Sequence, residues 1–328
     1  MTPDLDALVD GLERGERRAL ARLLTVVEDG SPEQLRHVVA ALHPRAGTAR
    51  VLGISGSPGV GKSTLTDAVA TQLRAAGRTV AILAVDPSSP FTGGALLGDR
   101  IRMQGHHTDA GVFIRSMASR GHLGGLSFAT PQAVLVLDAA GFDDIIIETV
   151  GVGQSEVEIA ATADTTVIAL APGMGDGVQA AKAGILEVAD VFVINKADAG
   201  GAGRLQSELQ GMLEMGHATA EVTDEPGWWP PILRTVAVKA EGITELVAAL
   251  DAHTGFLASH GLGAARRRAR TRHLVRELAL ESTRRTFARL SEGEDGLLEA
   301  LAERVERRDL DPYRAADELL AASRLAAS

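Results

Sequence analysis

The nine residues Gly56-Ser57-Pro58-Gly59-Val60-Gly61-Lys62-Ser63-Thr64 stand between an apolar run at 51–54 and the helically spaced Leu65, Val69 and Leu73. Three glycines at that spacing let a backbone turn from strand to helix and gather its N–H groups around a common concavity. The helix that follows adds the positive end of its dipole, and a bare turn has no need for a Lys-Ser pair opening that helix. The pattern therefore predicts a phosphate cradle, in which Lys62 reaches the outer phosphates and the Ser63 hydroxyl ligates Mg²⁺. It constrains the fold as well. A loop of this kind belongs in the crevice beyond the carboxyl ends of strands in a mainly parallel sheet.

The remaining pattern agrees. Short β-branched runs recur at 80–85, 112–114, 145–147, 165–170, 191–194 and 235–238, separated by longer amphipathic segments. Strands alternating with helices predict an α/β, doubly wound, mainly parallel sheet of the P-loop nucleoside-triphosphatase kind, with helical appendages at both ends. Leu5, Leu8, Leu12, Leu20, Leu23 and Leu24 fall at helical spacing, so 1–46 is expected to be helical, with Gly30-Ser31-Pro32 as an internal turn and helix start. A nucleotide domain is expected over 47–258 and a helical arm over 259–328.

At 328 residues, with 45% hydrophobic and 23% charged, the chain can build a full core. Its net charge of −10 argues against a general nucleic-acid binder, which needs basic surface to displace counterions. With no cysteine there is no disulfide, thiolate metal site or cysteine nucleophile. The first residues are acidic and helix-patterned, and no apolar run reaches the roughly 20 residues that span a bilayer. The expectation is a cytoplasmic protein without signal peptide or membrane span.

Two carboxylates end strands beside the cradle, Asp86 in Asp86-Pro87-Ser88-Ser89 and Glu148 in Glu148-Thr149-Val150-Gly151. Both are expected to organise Mg²⁺, a hard cation that keeps several waters and so lets one of them act through water. Asp99, in Gly98-Asp99-Arg100, is a third candidate metal residue. Glu148-x-x-Gly151 also reads as a switch whose Gly151 N–H senses the γ-phosphate, with Glu where Ras-like proteins carry Asp. The run 191–194 ends in Asn195-Lys196-Ala197-Asp198. Guanine presents N1–H and a 2-amino group on one edge, a donor pair that one carboxylate, Asp198, accepts and that adenine does not offer. Asn195 is expected to tie loops together, the Lys196 stem to pack over the ring, and the segment Ala237-Val238-Lys239-Ala240 to form a further base-contacting loop, with Val238, Lys239 and Ala240 at the base. Only four of the 33 basic residues are lysines (62, 182, 196 and 239), and each lies in a proposed nucleotide loop. Lysine is kept where a compact ammonium is wanted in place of a planar fork.

With these residues in hand, the chain resembles the methylmalonyl-CoA-mutase-associated GTPases, the MeaB/ArgK family. The match spans nearly the whole length. It rests on the cradle, on Val85-Asp86-Pro87-Ser88-Ser89, on Gly93-Gly94-x-Leu96-x-Gly98-Asp99-Arg100-x-Arg102-Met103, and on the string running from Glu148 through Gly153-Gln154-Ser155-Glu156. Gly175-Asp176-x-x-Gln179-x-x-Lys182-x-Gly184 looks like the additional switch of that family, which brings Lys182 near the nucleotide. Gly177-Val178 departs from it, where many members carry an acidic residue and a leucine. The resemblance implies a GTPase of low basal rate, a homodimer joined through the C-terminal arm, and an adenosylcobalamin-dependent acyl-CoA mutase as client, whose cofactor loading is gated and which is protected from inactivation. Lys62, Asp86, Glu148, Gln154 and Lys182 are the candidate catalytic residues, with Gln154 and Asp86 orienting the attacking water.

Rival readings start from other residues. An ATP-dependent kinase of amino-acid transport is opposed by the base-recognition motif. A metal-insertion GTPase needs a ligand cluster, for which His106-His107 with Asp109 is all the sequence offers. The arginine run at 266–272 suits nucleic acid or membrane less well than a solvated helix face or a partner's acidic residues. Trp228-Trp229-Pro230-Pro231 reads as a loop anchoring two indoles on the core, or as a docking knob.

Overall fold

A computed structural model describes residues 4–86, 104–106, 108–118, 129–149, 155–173, 186–219, 227–291 and 296–326. Seven strands form one sheet: β1 (Arg50–Ser55), β2 (Val80–Asp86), β3 (Val112–Ala118), β4 (Asp144–Thr149), β5 (Thr165–Leu170), β6 (Val191–Ile194) and β7 (Ile232–Arg234). Their spatial order is β3-β2-β4-β1-β5-β6-β7, and neighbouring strands pair in parallel throughout. β1, β4 and β5 are buried at every position, so their sequences are apolar on both faces where a half-exposed strand would alternate.

Three helices precede the sheet: α1 (Leu5–Glu13), α2 (Arg17–Asp29) and α3 (Pro32–Leu42). The turn before α3 is the one the sequence announces. The Ser31 hydroxyl accepts from Gln34 N, the Gln34 side chain accepts from Ser31 N, and Pro32 opens the helix. These helices are part of the main core. Leu23, Leu24, Val38 and Leu42 pack in one cluster with Leu83, Phe113, Met117 and Ile145 of the sheet. α2 also covers the open edge of β3. Arg17 donates to the carbonyls of Ala110 (3.0 Å) and Val112 (2.6 Å), and Glu28 accepts from Ala118 N (3.1 Å) and Arg115 (2.7 Å).

Further helices follow in chain order: α4 (Lys62–Ala75), α5 (Thr130–Ala139), α6 (Ser155–Ala160), α7 (Ala202–Thr219), α8 (Ile243–Ser259) and α9 (Leu262–Ser291). α4 and α8 cover one face of the sheet, where Leu65, Val69, Leu73, Leu246 and Leu250 meet Leu52, Ile54, Ile146, Val167 and Val193. α5 joins the N-terminal helices on the other face. α6 approaches β1 closely because position 53 is glycine, where a Cβ would lie 2.6 Å from Ile159 Cγ1. Contacts divide the chain into two compact units, Met1–Arg267 and Arg268–Ser328, with the division inside α9. The second unit contains α10 (Leu297–Glu306) and α11 (Pro312–Ala326), where Leu301 is buried and Arg304 pairs with Glu318 at 2.6 Å. No helix among the described residues is long and apolar enough to cross a membrane.

The last strand corrects the sequence reading. A strand was expected over 235–238, but β7 lies three residues earlier, and Ala237–Lys239 is a 3-10 turn. Thr235 N still bonds to the Ile194 carbonyl at 2.9 Å. Beyond it the chain curls around the Asn195 side chain, whose Oδ1 accepts from Thr235 Oγ1 and Ala237 N, both at 3.1 Å. β-Branched residues alone do not make a strand where the backbone donors point at a buried side chain.

Candidate functional site

Alternation along β4 places Ile146 and Glu148 on the face covered by α4, and the P-loop ends by starting that helix. Ser63, in the first turn of α4, thereby comes to Glu148: its hydroxyl donates to Oε1 at 2.5 Å, with both side chains buried. Lys62 Nζ turns back into the loop, donating to the carbonyls of Gly56 (2.7 Å) and Ser57 (3.1 Å). Thr149, next along β4 and on the other face, shares a 2.9 Å hydrogen bond with Ser55, the last residue of β1. The end of the cradle strand is thus tied by a side-chain bond to the strand that leads into the expected switch.

Two of the cradle glycines are required by their neighbours. Gly56 has φ 144°, and a Cβ there would lie 2.1 Å from the Ala169 carbonyl of β5. Gly61 has φ 95°, and its Cβ would lie 2.6 Å from Asn195 Nδ2. Pro58 and Gly59 form the exposed crest, whereas Val60 is buried in the core.

Asn195 continues the alternation of β6 toward the cradle and is 2% exposed. Its Nδ2 donates to the Val60 carbonyl at 2.9 Å while its Oδ1 receives Thr235 and Ala237, so one amide joins the cradle, the end of β6 and the turn after β7. That is the tying role expected of it. Ala237 opens the expected base loop, whereas Thr235 is read in the sequence only as the start of a strand; its place just before that loop is the signal available. Lys196 adopts φ 55° and its Nζ bonds to the Gly59 carbonyl at 2.7 Å. Asp198 pairs with Lys239 at 2.9 Å. The Lys239 hydrogen bond holds the Asp198 carboxyl below its usual range, and Asp198 in turn raises the Lys239 ammonium. Val238 is 79% exposed, and Ala240 has φ 56°.

Asp86 ends β2, and its side chain lies outside the described atoms. Asp99, Gly151, Gln154 and Lys182 lie outside the described residues, as do 87–103 and 174–185. The histidine candidate for metal does not assemble with Asp109. His106 Nε2 is 3.2 Å from Asp67 and 3.3 Å from Thr71 Oγ1, whereas Asp109 is held by Arg74; His107 lies outside the described residues. The Arg266 side chain is spoken for within this chain. It grips the buried Asp190 with two donors at 2.9 and 3.1 Å, at the amino end of β6. His253 Nε2 lies 3.2 Å from the same carboxylate. Trp228 anchors there too, donating from Nε1 to the Asp190 carbonyl at 2.7 Å and packing on His253 and Phe256, while Trp229 is 42% exposed. Trp228 is therefore an anchor, and Trp229 is the more exposed indole of the two.

Comparison with known proteins agrees with this geometry. The family described as "Methylmalonyl Co-A mutase-associated GTPase MeaB" matches residues 20–291. A Pyrococcus abyssi protein named as a GTPase is 47% identical over 317 residues, covering 96% of each chain. The Escherichia coli GTPase ArgK is 38% identical over 281 residues, covering 84% of each. A mouse protein named methylmalonic aciduria type A homolog, mitochondrial, is 35% identical over 97% of this chain and 79% of its own. A crystal structure of a LAO/AO transport system kinase superposes with a TM-score of 0.69 at 29% identity, covering 98% of each chain. A phosphate-cradling loop joined by Asn195 to a second loop, in a parallel sheet and with relatives named as GTPases, makes this chain a GTP-hydrolysing enzyme that belongs to the MeaB family of methylmalonyl-CoA mutase-associated GTPases.

Proposed function

We propose that the chain binds GTP with Mg²⁺ between the loop 56–64 and the Asn195–Asp198 turn, and uses hydrolysis to gate adenosylcobalamin loading into, and protection of, a methylmalonyl-CoA-type mutase. The observation that carries the nucleotide part is the meeting of Ser63 and Glu148 at 2.5 Å beside a cradle that Asn195 closes from β6. The client rests on the family's description and on the name of the mouse relative.

In this reading Gly56, Ser57, Pro58, Gly59, Val60, Gly61 and Thr64 supply the turn around the phosphates. Lys62 leaves the carbonyls of Gly56 and Ser57 to meet the outer phosphates, an exchange of one set of acceptors for a more highly charged one. The donor set at Ser63 and Glu148, both hard oxygens on one side of the cradle, fits Mg²⁺, with Asp86 and Asp99 as further carboxylates. The ion supplies charge neutralisation on the β- and γ-oxygens. The Ser63 hydroxyl donates its one hydrogen to Glu148 and keeps its lone pairs for a cation, so the two roles are compatible. Gly151 senses the γ-phosphate, Gln154 and Asp86 orient water, and Lys182 joins the site when a partner completes it. Asp198 selects guanine, with Asn195, Lys196, Val238, Lys239 and Ala240 around the base.

The 268–328 unit supports self-association, because Val275 (60%), Leu278, Leu298 and Tyr313 (85%) are apolar or aromatic side chains left exposed on it. A homodimer in the cytoplasm is the expected working form. The kinase reading that the structural neighbour's name suggests is disfavoured by Asp198, which has no donor pair to accept on adenine. ATP is expected not to displace bound GDP at equal concentration. The decisive experiment is the GTP hydrolysis rate of the purified protein, alone and with saturating methylmalonyl-CoA mutase from the same genome. Acceleration is expected. Basal hydrolysis that the mutase leaves unmoved would leave the GTPase standing and remove this client.

A further inference from the structure

Asp198 and Lys239 come from two rigid turns that face each other at the base end of the cradle. Lys239 ends the 3-10 turn Ala237–Lys239, which is closed at its base by two hydrogen bonds between Val236 and Glu241 (3.0 and 3.3 Å). Gly242 follows with φ 75°, where a Cβ would fall 2.1 Å from the Arg234 carbonyl, so the turn has little freedom to move away. Asp198 lies two residues beyond the left-handed Lys196, whose carbonyl accepts from Ala199 N at 2.9 Å. Between the turns, Lys239 Nζ stands 2.9 Å from Asp198 Oδ2, with both side chains about half exposed.

A carboxylate offers about four acceptor positions, and the guanine edge fills two of them with N1–H and the 2-amino group. An ammonium on one oxygen can therefore stay while the base binds. Hypoxanthine keeps N1–H and lacks the 2-amino group, so against an unassisted carboxylate it leaves one oxygen desolvated without a donor. Against a carboxylate that already holds an ammonium, that oxygen keeps a partner. We propose that Lys239 is a specificity-determining residue: it acts as a resident donor on the base-reading carboxylate and relaxes the demand for the 2-amino group. The site would then take 6-oxopurine nucleotides as a class, inosine as well as guanosine. The proposal rests on the reading of Asp198 as the guanine-selecting residue. Adenine stays excluded, since it turns a ring-nitrogen lone pair toward the carboxylate and an ammonium on the far lone pair does not relieve that repulsion.

The test is the affinity of the full-length protein for GDP, IDP and XDP, by competition against a fluorescent GDP analogue. It uses the wild type, Lys239→Met, Lys239→Arg and Asp198→Asn. Lys239→Met should widen the preference for GDP over IDP about three- to fivefold, the upper part of what a half-exposed ion pair provides. Lys239→Arg, which still donates, should return the ratio toward that of the wild type. A loop that merely loosened would weaken both nucleotides together and leave the ratio in place. A ratio unchanged or narrowed in Lys239→Met overturns the proposal. Asp198→Asn tests the foundation separately: its amide donates where the carboxylate accepted, so preference should move from GDP toward XDP, whose base carries a 2-carbonyl. Without that move, both the Asp198 reading and the Lys239 role fall; with it and an unmoved GDP/IDP ratio, the Lys239 role alone falls.

Discussion

Asn195 makes three hydrogen bonds from a nearly inaccessible position, to Val60, Thr235 and Ala237. Asn195→Ala removes the partner of a carbonyl, a hydroxyl and an amide that are all buried away from easy rehydration. Each such loss costs about 1–3 kcal/mol, though relaxation of the loops makes the sum less than additive. The expected outcome is a destabilisation of about 2–4 kcal/mol in chemical unfolding, with a loss of GDP affinity. Unchanged stability would mean the amide does not hold the loops. The asparagine was legible because its motif is short and chemically strict. Its acceptor and donors were not legible, because Thr235 and Ala237 sit in a run, Thr235-Val236-Ala237-Val238, whose β-branched character reads as a strand. The same limit hid the Asp198–Lys239 pair. Both residues were named for the base, but no spacing in the sequence says that two loops about forty residues apart present opposite charges to each other.

At the level of elements, α4 is tied at its carboxyl end to the turn before β3. Arg74 donates to both oxygens of Asp109 at 2.9 Å, and Gly111 N adds a third bond at 2.8 Å. The Arg74 hydrogen bonds, followed by that of Gly111, bring the Asp109 carboxyl from 3.8 down to about 2. A carboxyl lowered on folding contributes stability that is present above its unfolded value and is lost as pH falls through the folded one. The unfolding midpoint of Asp109→Asn should accordingly lie below that of the wild type by a constant margin above pH 3.8, and the margin should shrink as pH approaches about 2. A margin that persists unchanged through that window would assign the effect to packing. The sequence offered Asp109 as a companion of His106 and His107, and the actual partner, Arg74, was invisible because it comes from a different helix. Most of the strands were legible for a converse reason: β1, β4, β5 and β6 are buried on both faces and leave unbroken apolar runs. β7 is three residues long and preceded by two prolines, too brief to show a period.

At the scale of the whole molecule, the proposed nucleotide site draws on β1, β4, β6 and the turn after β7, so a nucleotide bound there would bridge segments distributed through the first unit. Any ligand that binds the folded state alone stabilises it by mass action. GDP at a hundredfold excess over its dissociation constant should add about 2.7 kcal/mol, read as an upward shift of a few degrees in the thermal midpoint. The absence of any shift would place the nucleotide elsewhere or deny its binding. The helices ahead of β1, which the sequence set apart as an appendage, share the core of the sheet and screen its β3 edge. Amphipathic spacing shows that a helix has an apolar face, but not which surface that face will meet.

The strand order has a consequence for synthesis. β1 lies between β4 and β5, both of which are made later, with the nearer beginning at Asp144. Arg50–Ser55 and the loop after it therefore leave the ribosome about ninety residues before either permanent neighbour exists. During that interval the chain has the loop 56–64 but neither the hydrogen bond from Ser63 to Glu148 nor the Asn195 clasp on the Val60 carbonyl. A nucleotide taken up at the proposed site would accordingly help to close the finished domain and not guide its early growth.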